Sequence, residues 1–222
     1  MSDLIKINKK ISYLPSSRNP LSCEVIFIKE KDATWIFDVG LSKDAADKIN
    51  SIQGKKNIVI SHFHPDHTFN LLKIKYDNLY VSKYTKRYTF KGTVIQENTN
   101  FPNGIQIWTL PSSHAKGCLC LLAGDYAFMG DGTYSKERRG NHTYNIQLLK
   151  EEIEVLKKIP CTYVCLDHDP TFIQKRVDLI ELHQQIYNRK NDSNFLLKNN
   201  CEISVEDFFH TDGTVKYEDR DK

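Results

Sequence analysis

The stretch NIVISHFHPDH, residues 57–67, limits what this chain can fold into more than any other. Its first half is a continuous apolar run, too short for a helix, and reads as a strand buried on both faces. A strand of that kind needs a covering layer on each side. Its second half sets three histidines and one aspartate within six positions, directly where the strand ends.

Other short runs repeat the pattern. CEVIFIKE (23–30) and ATWIFDVG (33–40) read as a hairpin closed at Lys31-Asp32. A helix is expected over roughly 43–52, with Ser42 as its N-cap. TFNLLKI after the histidine loop reads as helical, and NLYVS (78–82) as a strand. Further on, residues 105–111, 118–124, 126–131 and 162–169 read as strands. Apolar Ile146, Leu149, Ile153 and Leu156 mark an amphipathic helix ended before Pro160, and 171–188 reads as a second. Each half is thus strands followed by helices. The expected fold is α/β, an αββα sandwich of two mixed sheets with helices on the outer faces. Residues 1–222 are read as a single domain, with 191–222 a possible C-terminal extension.

Composition narrows the functional classes. With 40% hydrophobic residues among 222, the chain can build a real core. A net charge of +3 permits an anionic substrate without pointing to nucleic acid. The opening MSDLIKINKKISYLPSS lacks an apolar leader core, and no run approaches the length of a membrane span. The six cysteines form no CxxC pair, and four lie in apolar runs. They are expected to be free thiols in a reducing cytoplasm.

Neutral imidazole and carboxylate are ligands for zinc and similar divalent ions. His62 and His64, two apart in an extended loop, point the same way and can reach one ion. Asp66 and His67 lie just past Pro65 and are placed for a second. Four loop residues cannot close two sites. His114, Asp131 and His168, each beside a predicted strand end, are the metal-competent candidates for the rest.

This set resembles the metallo-β-lactamase fold superfamily. His62-x-His64-x-Asp66-His67, the isolated His114 with Gly117 after it, Gly130-Asp131, His168 and the early Asp38 fall in that family's order, over residues 23 to 170. The resemblance implies two divalent metal ions, zinc first, with iron or manganese as alternatives. His62, His64 and His114 would bind the first ion. Asp66, His67 and His168 would bind the second, with Asp131 bridging. Asp38 would hold the histidine loop by hydrogen bonds. It also implies a binuclear hydrolase in which a metal-bridging hydroxide, oriented by Asp66, attacks a small ester-like substrate, a thioester or lactone. A phosphodiesterase acting on a nucleotide or cyclic nucleotide is the alternative, and a non-catalytic metal-binding module the third reading. The bridging Asp131 is similar to glyoxalase II, lactonase and phosphodiesterase hydrolases, and unlike true β-lactamases, which usually lack it and are exported. One departure stands out: Asp167 and Asp169 flank His168 where the family often has glycines.

Two further stretches are candidates for substrate contact. GTYSKERRGNHTY after Asp131 offers Tyr134, Arg138 and Arg139, suited to an anion and a developing oxyanion. Asn141 in it reads as a helix N-cap. KYTKRYTFKG (83–92) interleaves cations with aromatics, either a nucleotide-contacting pattern or a surface helix with packed tyrosines. The expected partner is a small molecule, possibly anionic, with no membrane and no nucleic acid. The oligomeric state stays open, a homodimer included.

Overall fold

The computed structural model describes residues 3–137, 143–189 and 196–198. Its larger sheet runs in chain order through β1 (Ile5–Lys6), β2 (Ile11–Leu14), β3 (Val25–Lys29), β4 (Thr34–Phe37), β5 (Lys56–Val59), β6 (Asn78–Val81) and β7 (Thr93–Val94). The second is β8 (Thr99–Asn100), β9 (Gln106–Leu110), β10 (Cys118–Ala123), β11 (Tyr126–Phe128), β12 (Tyr163–Cys165) and β13 (Ile173–Lys175). Both sheets are mixed. β4, β5, β6 and β7 pair in parallel, as do β11 and β12, while the remaining neighbours are antiparallel. Parallel neighbours need a crossover. Helix α1 (Lys43–Ser51) crosses from β4 to β5, and α2 (Ile146–Lys158) from β11 to β12; α3 (Arg176–Asn188) follows β13.

Side-chain alternation sorts the core into layers. Phe37, Val59, Ile107, Leu121 and Phe128, drawn from both sheets, meet between them. Ile36, Ile58 and Leu79 face the other way, onto Ala45, Ala46 and Ile49 of α1. Cys120, Leu122 and Val164 face Leu156 and Leu179 of α2 and α3. β10 is therefore buried along its whole length, which is why CLCLLA reads as unbroken apolar sequence. The result is helix, sheet, sheet, helix, the expected αββα sandwich. Among the described residues no helix is long and apolar enough to cross a membrane.

Several boundaries differ from the sequence reading. The helix expected over 171–188 begins only at Arg176, because Ile173–Lys175 pair with Cys165–Tyr163 and extend the second sheet. TFNLLKI is not one helix: a turn of α-helix spans Pro65–Thr68 and a 3-10 turn Phe69–Leu72. The N-cap of α2 is Asn145, whose side chain accepts from the Leu148 N–H, and not Asn141, which lies outside the described residues. Ser42 does cap α1, accepting from Ala45 N. β1 and β2 were not legible, since charged KINKK interrupts their short alternation.

Cys23, Cys118, Cys120, Cys161 and Cys165 are free and buried. Burial pushes all five thiols up, Cys118 to about 12 and Cys161 to about 11. Since the thiolate is the nucleophile, iodoacetamide at pH 8 is expected to label these five at least ~100-fold more slowly in the native chain than in urea. Peptide mass spectrometry reads this directly, and fast native labelling of any of the five would contradict the packing.

Candidate metal centre

The flagged residues gather at one edge because the strands that carry them share a direction. β4 and β5 are parallel neighbours, so Asp38 and the Ser61-His62 step emerge side by side. β11 and β12 are parallel neighbours in the other sheet, delivering Asp131 and His168 to the same edge. His114 lies in the connection from β9 to β10. Pro65 then starts the helical turn with His64 as its N-cap, a position proline fits well. That turn brings Asp66 and His67 to the same edge, with the His67 ring 4.1 Å from the His62 ring.

Three imidazole nitrogens form a first donor set. His114 Nε2 is 3.2 Å from His62 Nε2 and 3.0 Å from His64 Nδ1. His62 is fully buried, and its Nδ1 lies 2.9 Å from Ser61 Oγ. Burial, reinforced by the neighbouring imidazoles, lowers its pKa to about 2. His62 therefore presents a neutral ring with a free lone pair at any ordinary pH.

The second set is Asp66, His67, Asp131 and His168. Asp66 Oδ2 is 3.1 Å from His168 Nε2 and 3.4 Å from His67 Nε2. Asp131 Oδ2 belongs to both sets, 3.5 Å from His67 Nε2 and 3.4 Å from His114 Nε2. Burial alone would raise the Asp131 carboxyl, but the nearby His67, His168 and His114 hold it well below the usual carboxylate range. Asp66 is shifted the same way: its hydrogen bond to His168 and the charge on His67 outweigh burial.

A layer beneath fixes these side chains. Asp38 is fully buried; its Oδ1 accepts from Ser61 N at 2.7 Å, and its Oδ2 lies 2.8 Å from His67 Nδ1. Asp38 Oδ2 is placed to take the Nδ1 proton of His67, which would leave Nε2 to offer its lone pair to an ion at the centre. Asp38 and His168 both have φ of 57°, a left-handed backbone uncommon for residues with a side chain. Gly130 sets the spacing between the sheets here. A Cβ on it would lie 2.8 Å from both Ser61 Cβ and Oγ, at a φ of +56°. Gly130→Ala is expected to cost about 1–3 kcal/mol of stability, through strain and overpacking. It should also push Ser61, and with it His62, out of place. Thermal denaturation measures the first effect and metal uptake the second; a substitution neutral in both would contradict the packing.

Asp167 and Asp169 part company. Asp169 accepts from Thr171 N at 2.8 Å and from Ser135 Oγ, a turn contact well before α3 starts at Arg176. Asp167 turns inward, its Oδ2 3.7 Å from His67 Nδ1. Burial, then the charge of Glu24, pushes the Asp167 carboxyl well above the usual range, as suits an acid buried without a hydrogen-bond partner among the described residues. Glu24 in turn accepts from His168 N at 3.0 Å and fixes that strained residue. Tyr134 stacks on His183 at 4.5 Å and packs with Tyr144, a packing environment between helices. Arg138 and Arg139 lie outside the described residues. Sequence reasoning missed Ser61 and Glu24, and flagged Asp167 beside His168 without its contact to His67. A charge inside the apolar run CEVIFI was the available signal for Glu24.

No protein-family model matches this chain, and no curated protein sequence does. Solved structures do. A metallo-β-lactamase from Pontibacter korlensis aligns over 85% of this chain and 99% of its own, with a TM-score of 0.60 at 15% identity. ETHE1 from Myxococcus xanthus aligns over 81% and 85%, with 0.61 at 16%. This chain has the metallo-β-lactamase fold. The chemotaxis sensor ODP, solved as a peroxy diiron species, is as similar in shape, at 0.60 and 14% identity over 85% of this chain and 96% of that one.

The metallo-β-lactamase fold implies divalent metal, and the residues present fit it. His67 Nε2 and Asp131 Oδ1 are buried without a hydrogen-bond partner among the described residues, a costly state that an ion relieves. Zinc–nitrogen bonds of 2.0–2.1 Å in a tetrahedron place ligand nitrogens about 3.3 Å apart. The 3.0 and 3.2 Å separations among His62, His64 and His114 are close to that.

Proposed function

We propose that this chain is a metal-dependent hydrolase with a binuclear centre, acting on a small ester-like substrate, a thioester or lactone. The observation that carries this is Asp131. Its Oδ2 lies 3.4 Å from a nitrogen of one donor set and 3.5 Å from a nitrogen of the other, the position of a shared ligand. His62, His64 and His114 would hold one ion, and Asp66, His67 and His168 the other, with zinc favoured by the imidazole-rich first set. When bound, such a pair lowers the pKa of water toward neutrality and polarises the substrate oxygen.

The chain's own groups do the rest. Asp66 is a carboxylate beside His168 and accepts the proton of the attacking water at its free oxygen lone pairs. Asp38 keeps the proton of His67 on Nδ1 throughout, so the ring neither rotates nor donates into the centre. Ser61 does the same for His62. Burial holds the described thiols in their protonated, weakly nucleophilic form, consistent with water as the attacking group.

The test is turnover by metal-loaded chain on a thioester, a lactone and a bis-aryl phosphodiester, with Asp66→Ala run alongside. Hydrolysis of the thioester or lactone, lost in the variant, is the expected outcome. Preference for the phosphodiester would move the substrate class. Absence of turnover on all three at full metal loading would overturn the hydrolase reading.

A further inference from the structure

Beside the first donor set lies a cavity of about 600 Å³. His114 forms part of its wall, and so does Phe63, the residue between His62 and His64. The opposite wall comes from the short helix Lys86–Thr89, the stretch whose cations and aromatics alternate in sequence. Phe63 and Tyr88 stack at 4.6 Å with their planes 11° apart. Tyr88 nevertheless stays 60% exposed, which leaves ring surface open for a further planar group. Arg87 lies over the Tyr84 ring at 5.6 Å, and Lys116 reaches the same cavity from the loop after His114. Among the described residues lining it, none is acidic.

Packing against β6 and β7 alone does not account for this wall. A helix of four residues gains little stability by itself. This one has no buried residue. Its Arg87 and Tyr88 side chains line the cavity next to the candidate metal ligands, and the aromatic stack ties it to the histidine loop itself. An aromatic face with two cations and no carboxylate selects for a planar ring carrying negative charge.

We propose that this cavity is the substrate-recognition site, and that it takes a small organic anion with an aromatic or heteroaromatic ring. The ring packs on Phe63 and Tyr88, while Arg87 and Lys116 pair with its carboxylate or phosphate. The inference deepens the hydrolase reading and rests on it for the word substrate, but binding can be tested without catalysis. The ligand's scissile group would extend past His114 toward the centre.

The experiment is calorimetric titration of the metal-free full chain, so that no ion competes for the anion. Phenyl phosphate and benzoate are the ringed anions, inorganic phosphate the ringless anion and benzyl alcohol the ringed neutral. Phenyl phosphate or benzoate is expected to bind at least ~10-fold tighter than either control, because both halves of the site contribute. Arg87→Gln with Lys116→Gln should weaken the ringed anion by about 10-fold at unchanged Tm, since both side chains are exposed, and Tyr88→Ala by about fivefold with a small loss of Tm from the broken stack on Phe63. Tighter phenyl phosphate than benzoate would assign the anion as phosphate; the reverse would assign carboxylate. Equal binding of all four probes, or variants that bind the ringed anions like the parent, would overturn the proposal. Binding that follows the expected pattern, in a chain that when metal-loaded turns over none of the three model substrates, would leave the site standing and remove the hydrolase reading instead.

Discussion

Asp131→Asn is expected to hold fewer metal ions than the parent chain, falling from two toward one, and to lose roughly 100- to 1,000-fold in turnover, the scale on which removing one preorganised electrostatic group acts. The substitution conserves shape and removes charge. Asp131 Oδ2 faces His67 Nε2 at 3.5 Å and His114 Nε2 at 3.4 Å, and its Oδ1 is buried without a partner among the described residues. An amide there offers one weak ligand atom and turns two N–H donors toward the cations. It cannot neutralise two dications at once. Elemental analysis after dialysis, paired with turnover, measures both effects. A variant with parental metal content and activity would show that the carboxylate bridges nothing.

Asp38 gives the second large effect, and two substitutions separate its roles. Asp38→Ala leaves Ser61 N without its acceptor and His67 Nδ1 with only the longer 3.3 Å contact to Ser61 Oγ, in a fully buried position, at about 1–3 kcal/mol for each lost bond. It also places alanine at a φ of 57°. A Tm loss of several degrees is expected, at about 2–4 °C per kcal/mol for a domain of this size. Asp38→Asn keeps an acceptor for Ser61 N and tolerates the left-handed backbone, but removes the charge facing His67. Its Tm is expected to stay near the parent's while metal affinity falls about 10- to 100-fold, the usual cost of losing a group that orients a ligand. Equal metal affinity in Asp38→Asn and the parent would reduce Asp38 to a structural cap.

What the sequence made legible follows from where the chemistry is local. His62, His64, Asp66 and His67 sit in one loop, so spacing alone exposed them. His114, Asp131 and His168 were readable because each lies beside a strand end, and parallel pairing of β4 with β5 and of β11 with β12 brings such ends together. The layered fold was readable because doubly covered strands such as CLCLLA are unbroken apolar runs. The supporting shell was not readable in the same way. Ser61, Glu24 and Asp167 act through contacts that span from one residue to 144 along the chain, and the local signals, a charge in an apolar run for Glu24 and a carboxylate beside His168 for Asp167, do not say what they touch. β13 was hidden because Ile173–Lys175 owes its strand state to pairing with β12, a tertiary effect that outweighs the helical pattern running through it. The aromatic stack of Phe63 on Tyr88 joins two segments whose separate meanings were visible and whose meeting was not.

The proposed centre would hold two ions joined by the one carboxylate of Asp131. Anomalous X-ray diffraction from crystals of the metal-loaded chain would locate them. Two peaks are expected, one within bonding distance of His62, His64 and His114, the other of Asp66, His67 and His168, with Asp131 reaching both. A single peak, or a second one away from Asp131, would contradict the binuclear centre and the hydrolytic chemistry built on it.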